Sequence, residues 1–365
     1  MQFTFSQLKD GIQNALRDMG FERPTPVQAL AVPLALEGKD LLIQARTGTG
    51  KTGAFALPIL ERIKSGEKAL ILAPTRELAL QIRDHMREMA RFLRLKIFAF
   101  YGGTPVARNI QALSAADPDV IVGTPGRIRD LIGRRSLDTR RIRYLVLDEV
   151  DLMLDLGFRD DIEWIVSRVP LNRQTFMVSA TVPEEIRNIA MRHMKEDLHH
   201  VRADDLKPNI REIVIRIGSE DQKINELVRI LRENKDEKII VFARTRRNVR
   251  NLTATLKEFR FNVASLHGDM PQRRRESVIR AFRRGEVSVL VATDVASRGL
   301  DIRGVSLIIN YHIPEDPKVY IHRIGRTGRL GREGTAISLV SPSERINLSR
   351  IERLRRAFAR PKLRT

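Results

Sequence analysis

Cysteine is absent from this 365-residue chain, which excludes disulfides and any thiolate-held zinc or iron–sulfur centre. Aromatic residues reach only 5%, with a single tryptophan, so few side chains can serve as flat stacking platforms. No apolar run approaches the ~18 residues that a membrane-spanning helix needs. The opening Met1-Gln2-Phe3-Thr4-Phe5-Ser6 puts no basic stretch before an apolar one, so no secretory signal is expected. Low-complexity tracts are missing too. What remains is 42% hydrophobic and long enough for two domains, expected to be soluble and cytoplasmic.

Acidic residues are also in short supply. The 65 Lys and Arg against 45 Asp and Glu leave a net charge of +20, and 51 of the basic residues are arginine. A guanidinium fork matches phosphate oxygens and stays charged at any physiological pH. A polyanion, nucleic acid first among them, is the expected partner. A surface charged only for solubility is the alternative.

Short apolar runs alternate with amphipathic stretches along the whole chain. Runs at 40–45, 69–73, 96–100, 119–122, 144–147 and 175–178 read as buried strands. Between them 77–92, with Leu78, Ile82 and Met89 on one side, reads as a helix. The pattern then restarts, with strands at 213–217, 239–243, 263–266, 287–292, 307–311 and 336–340 and helices at 246–259 and 272–284. Near-continuous apolar strands alternating with helices imply a mostly parallel sheet covered on both faces. The expected organisation is α/β, with one domain over 1–203, a linker at 204–209 containing Pro208, and a second domain over 210–365.

Ala45-Arg46-Thr47-Gly48-Thr49-Gly50-Lys51-Thr52 follows the first strand and leads into an apolar helix, matching a phosphate loop except that Ala45 replaces the first glycine. Gly48 and Gly50 would let backbone N–H groups curl around phosphate oxygens. Lys51 would reach the β- and γ-phosphates, and the Thr52 hydroxyl would ligate Mg²⁺. Asp148-Glu149-Val150-Asp151 follows another buried strand, where Asp148 would hold Mg²⁺ and Glu149 would polarise an attacking water. Late in the chain, His322-Arg323-Ile324-Gly325-Arg326-Thr327-Gly328-Arg329 places three arginines among glycines. An arginine from a second domain can stabilise the charge on a γ-phosphate in the transition state, although a plain basic patch reads the same way.

Together these residues resemble the DEAD-box RNA helicases, ATP-dependent enzymes with two RecA-like domains, from about Phe5 to Gly334 with the motifs in the family's order. The resemblance implies ATP and Mg²⁺ as cofactors and RNA as partner. Within Gly20–Gln28, Arg23 and Gln28 would join the phosphate-loop residues in holding the nucleotide, with Gln28 reading adenine and Phe5, or else Phe3, stacking on the base. Gln28 capping a helix and Phe5 stapling the core are the alternatives. Pro74-Thr75-Arg76, Gly102-Gly103 and Thr124-Pro125-Gly126-Arg127 would contact RNA in the first domain. Thr245, Gly268, Asp269 and Thr293 would do so in the second, beside Gln272 and Arg275. Asp301 would hold the ribose unless it is an ordinary turn acid. Ser179 and Thr181, with Asp151, His322 and Arg323, would couple the two domains. Trp164 reads as core.

The implied cycle closes both domains on ATP and single-stranded RNA, gathering Lys51, Glu149, Arg326 and Arg329 at the γ-phosphate, and so opens short duplexes locally. Val150 departs from the family's alanine but leaves the three acids intact. Glycines, threonines and arginines at the RNA positions suit backbone contacts, so binding should be independent of sequence and sensitive to salt. An ATP-gated RNA clamp and a DNA translocase are the rival functions. With about 30 residues after the last motif, including the basic stretch 353–360, the chain reads as a bare core or as part of something longer.

Overall fold

The computed structural model describes residues 3–45, 48–203, 210–294, 304–328 and 333–359. The chain divides into two compact units, Met1–Asp205 and Leu206–Thr365. The expected linker at 204–209 lies outside the described residues.

The first unit holds β1 (Leu41–Gln44), β2 (Lys68–Leu72), β3 (Ile97–Phe100), β4 (Val120–Gly123), β5 (Ile142–Asp148), β6 (Gln174–Ser179) and β7 (His199–Arg202). They form one parallel sheet in the order β3-β4-β2-β5-β6-β1-β7. Side chains alternate between its faces. Leu41 and Ile43 join Phe176 and Val178 in one buried cluster, whereas Leu42 joins Leu145, Leu147 and Met177 in the other. Because helices cover both faces, both sets of side chains are apolar, which is why the strands read as continuous runs. The edge strand β7 is the exception. Its His-His-Val-Arg sequence buries Val201 alone, so it gives no apolar signal.

The second unit repeats the plan with β8 (Ile210–Arg216), β9 (Ile239–Phe242), β10 (Val263–Leu266), β11 (Val289–Ala292), β12 (Leu307–Asn310) and β13 (Gly334–Val340). The sheet is again parallel, ordered β10-β11-β9-β12-β13-β8. Two parallel sheets flanked by helices are the expected pair of RecA-like domains.

Local chemistry starts the key helices. Thr75 Oγ1 accepts from Leu78 N at 3.2 Å to begin helix Arg76–Met89. Thr245 and Asn248 form a reciprocal capping box at the start of helix Arg246–Glu258. Trp164, expected in the core, is only half-buried. Its ring packs against the first unit's second cluster, and the Arg168 guanidinium lies 3.6 Å from the ring centre. Among the described residues, no helix is long and apolar enough to cross a membrane.

Candidate active site

The strand orders place the chemistry. In open parallel sheets the loops after the carboxyl ends of the strands form the binding edge. In the first unit the loops after β1, β5 and β6 carry the phosphate loop, Asp148–Asp151 and Ser179–Thr181, and these strands are neighbours. The loops after β3, β4 and β2, also neighbours, carry Gly102-Gly103, Thr124–Arg127 and Pro74–Arg76. One sheet edge thus carries the motifs expected to meet nucleotide on one side and those expected to meet RNA on the other. The second unit divides likewise. Thr245, Gly268-Asp269 and Thr293 follow β9, β10 and β11, and the helix Pro317–Ile324, which carries Arg323, follows β12.

Ala45 sits at the end of β1, where its N–H donates to Ser179 O at 3.1 Å. That ladder-like bond needs no left-handed backbone, so alanine serves where the phosphate-loop pattern has glycine. Gly48 and Gly50 do need it, at φ 87° and 92°. A Cβ on Gly50 would also lie 2.7 Å from both Gln28 Nε2 and Thr25 Oγ1. Helix Lys51–Arg62 follows, and Thr52 is half-buried in its first turn. Lys51 Nζ is buried at this loop with no hydrogen-bond partner among the described residues. An unpaired buried ammonium is costly, so a phosphate beside it is the fitting occupant. Arg46 and Thr47 lie outside the described residues. Thr49 is half-buried within the loop.

Gln28 caps its helix and also reaches the phosphate loop. Its Oε1 accepts from Thr25 N at 3.0 Å, which caps helix Pro26–Leu36, while its Nε2 donates to Gly50 O at 3.0 Å. The cap therefore ties this glutamine to the phosphate loop. Arg23 is exposed nearby in sequence. Phe5, read as a base platform or a core staple, packs in the core cluster, with Phe3 edge-on at 6.2 Å and itself buried.

Asp148 ends β5 and is 3% exposed. Burial pushes its carboxyl up to about 7, against the pull of the Lys51 ammonium. Glu149 follows in the left-handed region at φ 50°, a strained backbone for a side-chain-bearing residue, and its N–H donates to Asp148 Oδ1 at 3.0 Å. Strain of this kind aims a side chain at a set direction at the head of helix Val150–Asp155. Asp151 then reaches across to β6, where its Oδ2 accepts from Ala180 N, Thr181 N and Thr181 Oγ1 at 3.0–3.2 Å. Ser179 Oγ donates to Thr181 O at 2.7 Å. Asp151, Ser179 and Thr181 are one hydrogen-bonded unit.

On the RNA-motif side, Arg76 lies against Gly102 and Gly103, where a Cβ on Gly103 would strike its guanidinium. Arg127 donates to Thr104 O at 2.8 Å and to Asn109 Oδ1, bracing the loop that Gly103 turns at φ 82°. Pro74 is buried, while Thr124 and Pro125 begin helix Pro125–Gly133 and leave Gly126 exposed.

In the second unit Thr245 and Gly268 are exposed, and Thr293 is buried. Asp269 is paired with Arg246 and, at 3.5 Å, with Arg250, two arginines the motif reading left out. Arg323, expected to couple the domains, is 3% exposed and committed inside its own unit. It grips both oxygens of Asp294 at 2.5 and 2.8 Å, and donates to Asn310 Oδ1 and His312 O. Only the fold could show this pair, because Asp294 and Arg323 share no local pattern. Arg326 is also buried, with Nε donating to His322 O at 3.3 Å, and His322 is half-buried. Asp301 and Arg329 lie outside the described residues.

Residues 25–189 match the DEAD/DEAH box helicase family and 222–331 the helicase conserved C-terminal domain. The chain is 45% identical over 351 residues to the DEAD-box ATP-dependent RNA helicase CshA of Bacillus cereus, covering 95% of this chain and 66% of that protein. It therefore spans just under two thirds of that relative's length. CshA of Geobacillus kaustophilus is 45% identical over 357 residues, 96% of this chain and 76% of its own. Among solved structures, S. cerevisiae Dbp5 bound to RNA and ADP BeF3 aligns with a TM-score of 0.86 at 32% identity, over 96% of this chain and 93% of that one. Mss116p bound to single-stranded RNA and AMP-PNP aligns at 0.86 and 30% identity, over 97% and 78%.

Proposed function

We propose that this chain, which belongs to the DEAD/DEAH-box helicase family, is an ATP-dependent RNA helicase acting in the cytoplasm that opens short RNA duplexes locally. The observation that carries the reading is the buried Lys51 ammonium, unpaired at a loop whose two glycines hold left-handed backbone beside Asp148 and Glu149. Gln28, held beside the phosphate loop by its bond to Gly50 O, would read the adenine of ATP. Lys51 would hold the terminal phosphates, and Glu149 would orient and polarise the attacking water.

Asp148 and Thr52 would hold Mg²⁺, which when bound neutralises phosphate charge. No group of three or more His, Asp or Glu gathers for a metal among the described residues. That suits a cation shared with phosphate and water rather than caged by protein. Arg326 and Arg329 would meet the γ-phosphate on closure, and Asp301 would hold the ribose. ATP and single-stranded RNA, each preferring the closed arrangement, would drive that closure as a population shift. Asp151, by fixing Ser179–Thr181, would carry the state of the nucleotide side to the rest of the unit.

Strand displacement tests the proposal. A short RNA duplex with a single-stranded overhang should separate with ATP and not without it. Glu149→Gln should still bind ATP and RNA yet release no strand. ATP-dependent retention of RNA with no strand release by the unaltered protein would favour the clamp instead.

A further inference from the structure

The positive charge is unevenly placed. Lys and Arg number 30 against 27 acids in Met1–Asp205, but 35 against 18 in Leu206–Thr365. Outside the motif loops, the second unit concentrates it on helix Gln272–Arg284, where six of 13 residues are arginine. Ile279 and Phe282 seat this helix on the sheet. In an ideal helix Arg273, Arg280 and Arg284 fall on one outward line with Ser277 between them, about 16 Å from end to end. All of these residues are exposed.

Two features separate this stripe from an ordinary solvated face. First, its charges are poorly neutralised. Among the described residues no carboxylate pairs with Arg273, Arg274 or Arg280, and Glu276 accepts from Gln272 Nε2 instead, at 3.0 Å. Arg284 meets Glu286 only at 3.5 Å. Helix Glu220–Glu233 of the same unit does the opposite, holding Arg229 between Glu226 and Glu233 at 2.6 and 2.5 Å. Second, the arrangement is unfavourable at the start of the helix and within the stripe, although Arg284 suits the last turn. Arg273 and Arg274 occupy the first turn, where the helix dipole disfavours cations, and Arg280 and Arg284 repel across one turn. A row of phosphates removes both penalties.

The stripe also leads away from the motif loops. It begins just past Gly268-Asp269 at the carboxyl end of β10 and runs to Gly285, where Lys238 Nζ donates to Arg283 O at 2.7 Å. We infer that this helix face is a second RNA anchor, gripping the backbone of the RNA segment that continues past the motif loops. The inference rests on the RNA reading above.

The test compares a short oligoribonucleotide with one several times longer, reading binding by fluorescence anisotropy and ATP hydrolysis in parallel. Replacing Arg273, Arg280 and Arg284 together by Gln keeps helix propensity while removing three charges. It should weaken binding of the long RNA about tenfold at low salt and reduce its log–log salt slope by about 2. Affinity for the short RNA should not move. Removing Arg211, Arg216 and Arg232 in the same way, all exposed elsewhere on the unit, should leave long-RNA binding unchanged. Equal losses from the two triple variants, equal losses on both RNAs, or no loss at all would overturn the anchor. Length-dependent binding through the stripe without RNA-stimulated hydrolysis would keep the anchor and overturn the helicase reading. A protein that bound neither RNA would overturn both.

Discussion

Replacing Asp151 by Asn probes the link between the acidic tetrapeptide and β6. Both carboxylate oxygens act as acceptors: Oδ1 takes Leu152 N at 3.0 Å, and Oδ2 takes the two backbone N–H groups and one hydroxyl of Ala180 and Thr181. An amide can present an acceptor to only one of these sides and must turn an N–H₂ donor toward the other. Whichever way it turns, donors face donors and the charge assistance is lost. Hydrogen bonds to charged groups contribute about 1.5–3 kcal/mol, so local loss of about 2–3 kcal/mol at 180–181 is a reasonable magnitude. At 1.4 kcal/mol per factor of ten, amide exchange at Ala180 and Thr181 should accelerate roughly 30- to 140-fold, provided exchange proceeds by local opening. Native-state hydrogen exchange reads this directly. Duplex separation should fall more than ATP hydrolysis, because the substitution leaves Lys51 and Glu149, the residues proposed to meet ATP and water, in place. Unchanged exchange at both residues would refute the reasoning, since it would mean that Asp151 does not hold the segment.

Three further perturbations follow from the same geometry. Arg326→Ala should lower RNA-stimulated ATP hydrolysis about 10³-fold if it acts as an arginine finger; a change within about tenfold would reduce it to a basic surface group. Val150, fully buried at the head of its helix, should cost about 1–3 kcal/mol of stability in denaturant unfolding when cut to Ala, yet leave hydrolysis nearly unchanged because it bears no ligating group. Asp117, whose carboxyl is drawn down to about 2 by hydrogen bonds from Arg141 and Lys68, stabilises the first unit above about pH 4. That contribution is lost as pH falls toward 2. Asp117 stands in left-handed backbone, which asparagine also accepts, so Asp117→Asn isolates the charge. It should lower stability at pH 7 and flatten the acid limb of a thermal-unfolding profile; an unaltered limb would show that the pairing is energetically silent.

Much of this architecture was legible because parallel strands buried on both faces leave continuous apolar runs, and the phosphate loop and acidic tetrapeptide are local patterns at strand ends. Strand β7 was not legible, since its histidines and arginine are tolerated only by its place at the sheet edge. Phe5 shows a different limit. Sequence spacing cannot decide whether a ring faces a base or its own core, and here Phe3 and the surrounding helices take it inward. Arg323 shows a third. A motif identifies an arginine by type, but only the fold reveals that Asp294, Asn310 and the His312 carbonyl already occupy it. Gln28 shows the cap that its local pattern suggests, but the bond that carries its amide to Gly50, 22 residues away, is visible only in the fold.

In the proposed cycle, RNA gates hydrolysis at Lys51 and Glu149. Steady-state ATP hydrolysis measured without nucleic acid, with single-stranded RNA and with DNA of the same sequence tests it most directly. RNA should stimulate strongly and DNA little. Equal stimulation by both would contradict that gating and point to a DNA translocase built on the same two sheets.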